Sequence, residues 1–173
     1  MEPVKFLELM GTVEKLKQTY RHSWTSGGRR ESVAEHSWRL TFMAWVLKDE
    51  LEDVDTDRLL LMCLVHDLGE ALVGDVPSFL KNDRDEAAED DAIERILACL
   101  EPARREELQG VFAEMKALET PEARAWRSLD TLEAVIQHNE APLPTWLELE
   151  HTLQQIYGMD EAGCQPVLKA IRE

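Results

Sequence analysis

The segment from Leu59 to Asp75, with the sequence LLLMCLVHDLGEALVGD, limits the possible folds of this chain more than any other. Its first seven residues are apolar and lead directly into His66 and Asp67, and Glu70 follows one helical turn later. A helix that is apolar on every side is typical of a buried position. Burying a histidine and an aspartate costs roughly several kcal/mol unless they are paired or bind a metal. The segment therefore predicts a core helix whose polar end needs a partner, such as a cation.

The spacing of the three polar residues places them near one another. Glu70 is four residues after His66 and three after Asp67, so it shares their face of the helix. One ring nitrogen, one ligating carboxylate and one free carboxylate would form a reactive edge. Taken alone, however, the pair is explained better by a core histidine bonded to a neighbouring carboxylate than by a metal site.

Length and charge limit the classes of function. The chain has 173 residues, 44% of them apolar, which suffices for one sizeable core and is too little for two. We therefore expect a single domain over residues 1–173. A formal net charge of −16 repels polyphosphate backbones and anionic lipid surfaces, so we expect neither a nucleic-acid polymer nor a membrane as partner. A small anionic substrate can still bind where the site has its own cations.

Cysteine usage and the apolar runs predict the compartment. Cys63, Cys99 and Cys164 lie far apart and form no C-x-x-C motif, which fits neither a disulfide framework nor a zinc knuckle. The longest apolar run has seven residues, whereas a membrane span needs about 20. The first ten residues lack the basic stretch and cleavage site of a secretion signal. We expect a soluble, unexported, cytoplasmic protein.

The hydrophobic periodicity predicts helices throughout the chain. A first helix over 3–19 is followed by a loop over 19–32, and Ser32 with Glu35 forms a capping box that opens a second helix. The third helix should carry His66 and Asp67 and fade near Gly74. Further helices are predicted over 81–100, whose acidic run indicates a solvated face, and over 103–118, 121–140, 145–157 and 160–172. Without β-alternation or repeats, the expected class is all-α.

Polar residues at core positions of three helices form one candidate site. His36 lies on the apolar stripe of the second helix, His66 and Asp67 follow on the third, and Asp130 lies between core positions of the helix over 121–140. His36 alone would be more typical of a satisfied core histidine. Together, two imidazoles and two carboxylates suit a divalent first-row metal, and Mn, Fe, Co, Ni and Zn are all chemically acceptable.

The sequence motifs around these residues resemble those of a known family. His36 in ESVAEHS, His66 and Asp67 in LVHDLGEALVGD, and Asp130 in LDTLEAVIQ match in order the signature of the HD-domain metal phosphohydrolases. The match is closest to the 5'-deoxynucleotidase-like branch and covers about residues 10–140, with 145–173 covered only loosely. The resemblance implies a single HD-domain helical bundle in which these four residues hold the metal.

The resemblance also implies roles for two further acids. Glu70 and Asp75 correspond to residues that handle the attacking water and the phosphate in that branch. A carboxylate that is not a ligand but lies beside the metal can take or return a proton. Glu70 is the first candidate for the acid and base, and Asp75 either assists it or caps the chain locally.

An arginine and a tryptophan near the N-terminus are candidates for substrate binding. Arg21 can clamp a phosphate and Trp24 can stack on a nucleoside, but His22 and Ser23 separate them here, a spacing that departs from that branch. Alternatively, Trp24 anchors the loop and Arg21 is a surface charge. Arg29 and Arg30 are weaker phosphate candidates.

The absence of histidine between Asp67 and Asp130 predicts one divalent metal, because two-metal members of the family use extra histidines there. His22, His138 and His151 are interpreted as surface or core residues. The expected function is hydrolysis of (deoxy)nucleoside 5'-monophosphates to nucleoside and phosphate. The alternatives are an HD hydrolase of another small phosphate ester or nucleotide polyphosphate, and a non-catalytic, metal-stabilised regulatory module. The resemblance implies a homodimer, for which the sequence offers apolar residues on the terminal helices.

Overall fold

A computed structural model describes residues 2–173, and within that range the chain forms ten α-helices and one two-stranded antiparallel sheet. The predicted all-α class is therefore confirmed. The helices are α1 (Pro3–Val13), α2 (Val33–Leu47), α3 (Thr56–Val65), α4 (Glu70–Val73), α5 (Asp83–Leu97), α6 (Pro102–Ala117), α7 (Pro121–Glu140), α8 (Glu150–Leu153), α9 (Met159–Ala162) and α10 (Pro166–Arg172). Short 3₁₀ helices span Glu14–Lys17 and Leu143–Thr145.

The main core lies among α2, α3, α7 and α10. Leu40 of α2, Leu59 of α3, Leu129 of α7 and Leu168 of α10 are all fully buried in one cluster. The predicted capping box opens α2: the Ser32 hydroxyl accepts from the backbone N–H of Glu35, whose carboxylate accepts from the backbone N–H of Ser32. This cap fixes where α2 begins, so its first turn faces α3 and α7.

The predicted loop over 19–32 is wrong in one respect, because it contains a β-hairpin. Strands β1 (Tyr20–Trp24) and β2 (Arg30–Ser32) pair in antiparallel fashion, with a bulge between Tyr20 and Trp24. The turn between them closes through Thr25, whose N–H and hydroxyl both donate to the carbonyl of Arg29. The hairpin has no hydrophobic alternation because its inner side chains are polar and contact α7 rather than an apolar core.

The predicted third helix ends earlier than expected. α3 stops at Val65, and residues 66–69 form a turn in which the N–H groups of Leu68 and Glu70 donate three residues back rather than four. The expectation that the apolar run is buried on every side is also wrong, because Leu64 is 62% exposed. A helix that packs on one side cannot bury seven consecutive residues.

The C-terminal part differs as well, since the two helices predicted over 145–157 and 160–172 are replaced by the shorter helices α8, α9 and α10. Gly158 has a φ of 76°, a left-handed conformation, and Pro166 begins the last helix. These breaks fold the segment back over α7. Within residues 2–173, no helix combines the length and the apolarity needed to cross a bilayer.

Candidate metal centre and active site

Four predicted side chains converge between α2, the turn after α3, and α7. The Nε2 atom of His36 lies 3.2 Å from Nε2 of His66 and 3.1 Å from Oδ1 of Asp130. The Nε2 atom of His66 lies 2.9 Å from Oδ2 of Asp67 and 3.7 Å from Oδ1 of Asp130. Ligand atoms that are each about 2.1 Å from one ion lie roughly 3 Å apart. The separations thus match those of a ligand set around a single cation.

The other nitrogen of each histidine is held by a neighbour. Nδ1 of His36 lies 2.5 Å from Oε2 of Glu133, and Nδ1 of His66 lies 3.0 Å from the carbonyl oxygen of Cys63. An acceptor at Nδ1 keeps the proton on that nitrogen and leaves Nε2 free to bind a metal. Both imidazoles therefore turn their ligating atoms toward the same point. The donor set of two imidazoles and two carboxylates fits a divalent first-row ion.

The charges of the cluster also favour a cation. Burial and the charge of Arg21 lower the pKa of His36, but its bonds to Asp130 and Glu133 outweigh them and raise the pKa to about 9. Burial raises the pKa of Asp130, but its bond to His36 and the charge of His66 bring it below its ordinary value. The acidic surroundings thus favour a positive charge at this point, which a metal ion can supply.

Glu70 lies beside the cluster with an unused acceptor. It is 6% exposed, and among residues 2–173 its Oε2 atom has no hydrogen-bond partner. Burial, followed by the charges of Asp67, Asp75 and Glu89, raises its pKa to about 10. Burial thus favours the protonated form of Glu70 in the protein alone, and a positive charge placed nearby would favour its carboxylate form. Such a group is well placed to exchange a proton with a molecule in the site.

The backbone at Gly74 places Asp75 in the same site. Gly74 has a φ of 85°, which L side chains rarely adopt, and it ends α4 abruptly. Asp75 then lines a cavity of about 350 Å³ together with Asp67, Glu70 and Asp130. Burial raises the pKa of Asp75, opposed by the charge of Arg21. The volume lies in the range of small-molecule sites.

The two predicted substrate-binding residues take different positions. Arg21 lines the cavity, and its Nη1 atom lies 3.3 Å from both Glu31 and Glu133. Trp24 is not among the residues that line this cavity. Its carbonyl accepts a hydrogen bond from Gln137, and the guanidinium of Arg30 lies 5.9 Å from its ring centre.

The weaker arginine candidates lie away from the cavity lining. The guanidinium of Arg29 forms two hydrogen bonds to the carboxylate of Glu35, at 2.5 and 2.9 Å, and the two side chains are 61% and 43% exposed. Arg30 donates from Nε to the carbonyl oxygen of Arg21 at 2.8 Å. Both arginines thus support the hairpin and the start of α2.

Several residues of the site were not predicted from the sequence. Glu133 is fully buried and orients His36, and its only sequence signal was its position three residues after Asp130. His22 and His138 line the cavity, and Glu150 between them lies 2.8 Å from Nε2 of His22. No local pattern identified Glu150, because its partners are more than 100 residues away or on another helix.

A comparison with protein families matches residues 13–172 to the HD domain family. Among characterised proteins, the chain is 33% identical over 138 residues to the 5'-deoxynucleotidase HDDC2 of Danio rerio, covering 78% of this chain and 68% of that protein. It is 31% identical over 161 residues to the 5'-deoxynucleotidase HDDC2 of Homo sapiens, covering 89% and 74%.

Among solved structures, the fold is similar to that of a predicted metal-dependent phosphohydrolase from Magnetospirillum magnetotacticum. The TM-score is 0.83 at 26% sequence identity, and the match covers 98% of this chain and 88% of that chain. The matched region therefore includes the C-terminal helices as well as the segments of this chain that carry the four converging side chains.

Proposed function

The chain belongs to the HD domain family, and on that premise we propose that it is a metal-dependent phosphomonoesterase that hydrolyses deoxynucleoside 5'-monophosphates. The convergence of His36, His66, Asp67 and Asp130 beside Glu70, whose Oε2 atom has no hydrogen-bond partner among residues 2–173, is the observation that carries the proposal. The two relatives named as 5'-deoxynucleotidases support the class of substrate. The cavity of about 350 Å³ has the size of a small-molecule site, as a mononucleotide substrate requires.

We propose that His36, His66, Asp67 and Asp130 hold one divalent metal ion, which can be Mn, Fe, Co, Ni or Zn on the chemistry of the donors. When bound, such an ion lowers the pKa of water and polarises a phosphoryl oxygen. Glu133 and the carbonyl of Cys63 keep the two imidazoles oriented for that purpose.

We assign the proton transfer in this reaction to Glu70. Hydrolysis adds the oxygen of water to phosphorus and breaks the bond from phosphorus to the 5'-oxygen. The proton released by the water passes to the free Oε2 atom of Glu70 and then to the departing 5'-oxygen. Atoms balance with nucleoside and inorganic phosphate as products. Asp75 lies on the same cavity wall and is assigned an assisting role.

Arg21 is assigned to the phosphate end of the substrate because it lines the cavity next to the metal ligands. Its two carboxylate partners fix its orientation, which lowers the entropy lost on binding. Trp24 does not line the cavity, so we propose that its part in substrate binding is indirect: its carbonyl accepts a hydrogen bond from Gln137 of α7, which holds the end of strand β1 beside the site.

A phosphate-release screen tests this function. The metal-loaded protein is expected to release phosphate from deoxynucleoside 5'-monophosphates, and to lose this activity after chelation and regain it with a divalent first-row metal. Nucleoside triphosphates and non-nucleotide phosphate esters serve as comparison substrates. Release from those compounds alone would contradict the proposal.

A homodimer in the cytoplasm is also part of the proposal. Trp38, Phe42 and Trp45 form an exposed stack along α2, with ring centres 5.9 and 6.0 Å apart and exposures of 69%, 52% and 53%. Large exposed apolar surfaces of this kind are typical of interfaces. The terminal helix α1 also exposes Val4 and Leu7. The three unpaired cysteines support a reducing compartment.

The dimer prediction is tested by the mass of the protein in solution. We expect the mass of two chains at micromolar concentration, and the mass of one chain after Trp38→Glu, because a charge would be buried in the interface. A dimer that survives this substitution unchanged would assign the contact to another surface.

A further inference from the structure

We propose that Lys81 binds the phosphate group of the substrate and adds a positive charge there to that of Arg21. The inference rests on the proposed function, since it names a residue for the same reaction. Lys81 lies in the irregular connection between α4 and α5, and it lines the same cavity as Glu70 and Asp67.

The surroundings of Lys81 place its ammonium group beside the acids of the active site. Its Nζ atom forms an ion pair with Glu89 of α5, and the side chains are 28% and 15% exposed. Carboxylate oxygens of Asp67, Glu70 and Glu89 lie within 4.8 Å of one another. The ammonium group is therefore held at the edge of a cluster that includes a metal ligand and the proposed proton carrier.

The position of Glu89 is fixed by a close packing contact. A Cβ atom on Gly69 would lie 2.8 Å from Cγ of Glu89 and 3.0 Å from its carbonyl oxygen, so α5 packs directly against the turn that carries Asp67 and Glu70. Only glycine permits this approach. Because Glu89 pairs with Lys81, the contact also fixes where the lysine stands relative to Glu70.

The charge of the substrate requires such a group. A phosphate monoester carries about −1.5 to −2 at neutral pH, and it must enter a cavity lined by Asp67, Glu70, Asp75 and Asp130. Two-metal phosphatases meet this demand with a second ion on the phosphate. In a site with one metal, a lysine can supply that charge.

Lys81 adds its charge to that of Arg21, which is assigned to the same phosphate group. Arg21 lies between Glu31 and Glu133, and Arg127 lies 3.4 Å from Asp130. An ammonium group has three donors, and the ion pair with Glu89 needs only one of them. Lys81 can therefore contact the phosphate without releasing Glu89.

Lys81→Met tests the assignment, with inorganic phosphate as the probe. Binding of phosphate to the metal-loaded protein is measured by calorimetry, and kcat/KM is measured with a deoxynucleoside monophosphate. A charge-assisted hydrogen bond to phosphate corresponds to a loss of about 10- to 100-fold in each quantity. Lys81→Arg should keep most of both, since it retains the charge, and the metal content of both variants should equal that of the parent.

Lys116→Met is the matched control. The Nζ atom of Lys116 lies 2.6 Å from Asp90 in an exposed ion pair, and Lys116 does not line the cavity. Its removal should leave phosphate affinity unchanged. A Lys81→Met protein that binds phosphate as tightly as the parent would overturn the inference, whatever its activity. If the parent hydrolyses no nucleotide but its phosphate affinity depends on Lys81, the proposed function fails while this assignment stands.

Discussion

Replacing Asp67 with alanine is expected to abolish metal binding and activity together. The carboxylate is one of four proposed ligands, and it lies 2.9 Å from Nε2 of His66. A catalytic metal supplies several kcal/mol of transition-state stabilisation, and each 1.36 kcal/mol is a factor of ten in rate. Phosphate release should therefore fall by about 10³-fold or more. Metal analysis of protein purified without chelator should drop from one ion per chain to almost none.

The thermal stability of the Asp67→Ala protein should fall as well, because it loses the free energy of metal binding and leaves His66 buried without that partner. Asp57→Ala provides a control in the helix that precedes Asp67, since Asp57 is exposed in the first turn of α3. That variant should keep its metal and its activity. An Asp67→Ala protein that retained one ion per chain would remove Asp67 from the ligand set.

Replacing Glu70 with glutamine is expected to separate chemistry from metal binding. Glutamine keeps the volume of the side chain but cannot accept and return a proton. General acid and base catalysis is worth about 10²- to 10⁴-fold, so turnover should fall by that factor. The metal content should remain at one ion per chain, because Glu70 is not among the four converging donors.

Glu94→Gln is the matched change on an exposed side chain of the neighbouring helix α5, and it should alter neither quantity. Parental turnover by the metal-loaded Glu70→Gln protein would make Glu70 structural. The proton would then have to pass through Asp75, which lines the same cavity. A Glu70→Gln protein without metal would instead place Glu70 among the residues that hold the ion.

The sequence predicted which four side chains come together better than it predicted their hydrogen-bond partners and the helix boundaries around them. His36, His66, Asp67 and Asp130 were identified because each is a polar residue at a core position, and burial of such groups without a partner is costly. Their helices were assigned from periodicity and from the capping box at Ser32. The all-α class and the family are confirmed on that basis.

Long-range contacts were beyond the reach of local patterns. Glu133 bonds His36 across 97 positions, and only the packing of α7 against α2 brings the two together. Glu89 belongs to an acidic run that was interpreted as a solvated face. Because Gly69 has no side chain, however, α5 packs close to the turn after α3 and Glu89 lies at the site. Periodicity describes which face of a helix is apolar, whereas these contacts depend on how closely two helices approach.

The end of α3 is a further feature that the sequence did not predict correctly. A continuous helix was predicted through His66 and Asp67, but the chain tightens at Leu68 and Glu70 into bonds that span three residues. The ends of helices often change from hydrogen bonds that span four residues to bonds that span three. The hydrophobic periodicity is the same in both cases, so the sequence does not distinguish them. The tighter turn brings Asp67 and Glu70 to the cavity while His66 stays in the core.

The most direct test of the proposed centre is a crystal structure of the metal-loaded protein recorded at the absorption edge of the bound metal. The proposal predicts one anomalous peak per chain, at roughly 2.0 to 2.3 Å from Nε2 of His36, Nε2 of His66 and the carboxylates of Asp67 and Asp130. A peak bound by other residues, or four side chains that stay together with no peak between them in protein that hydrolyses nucleotides, would contradict it.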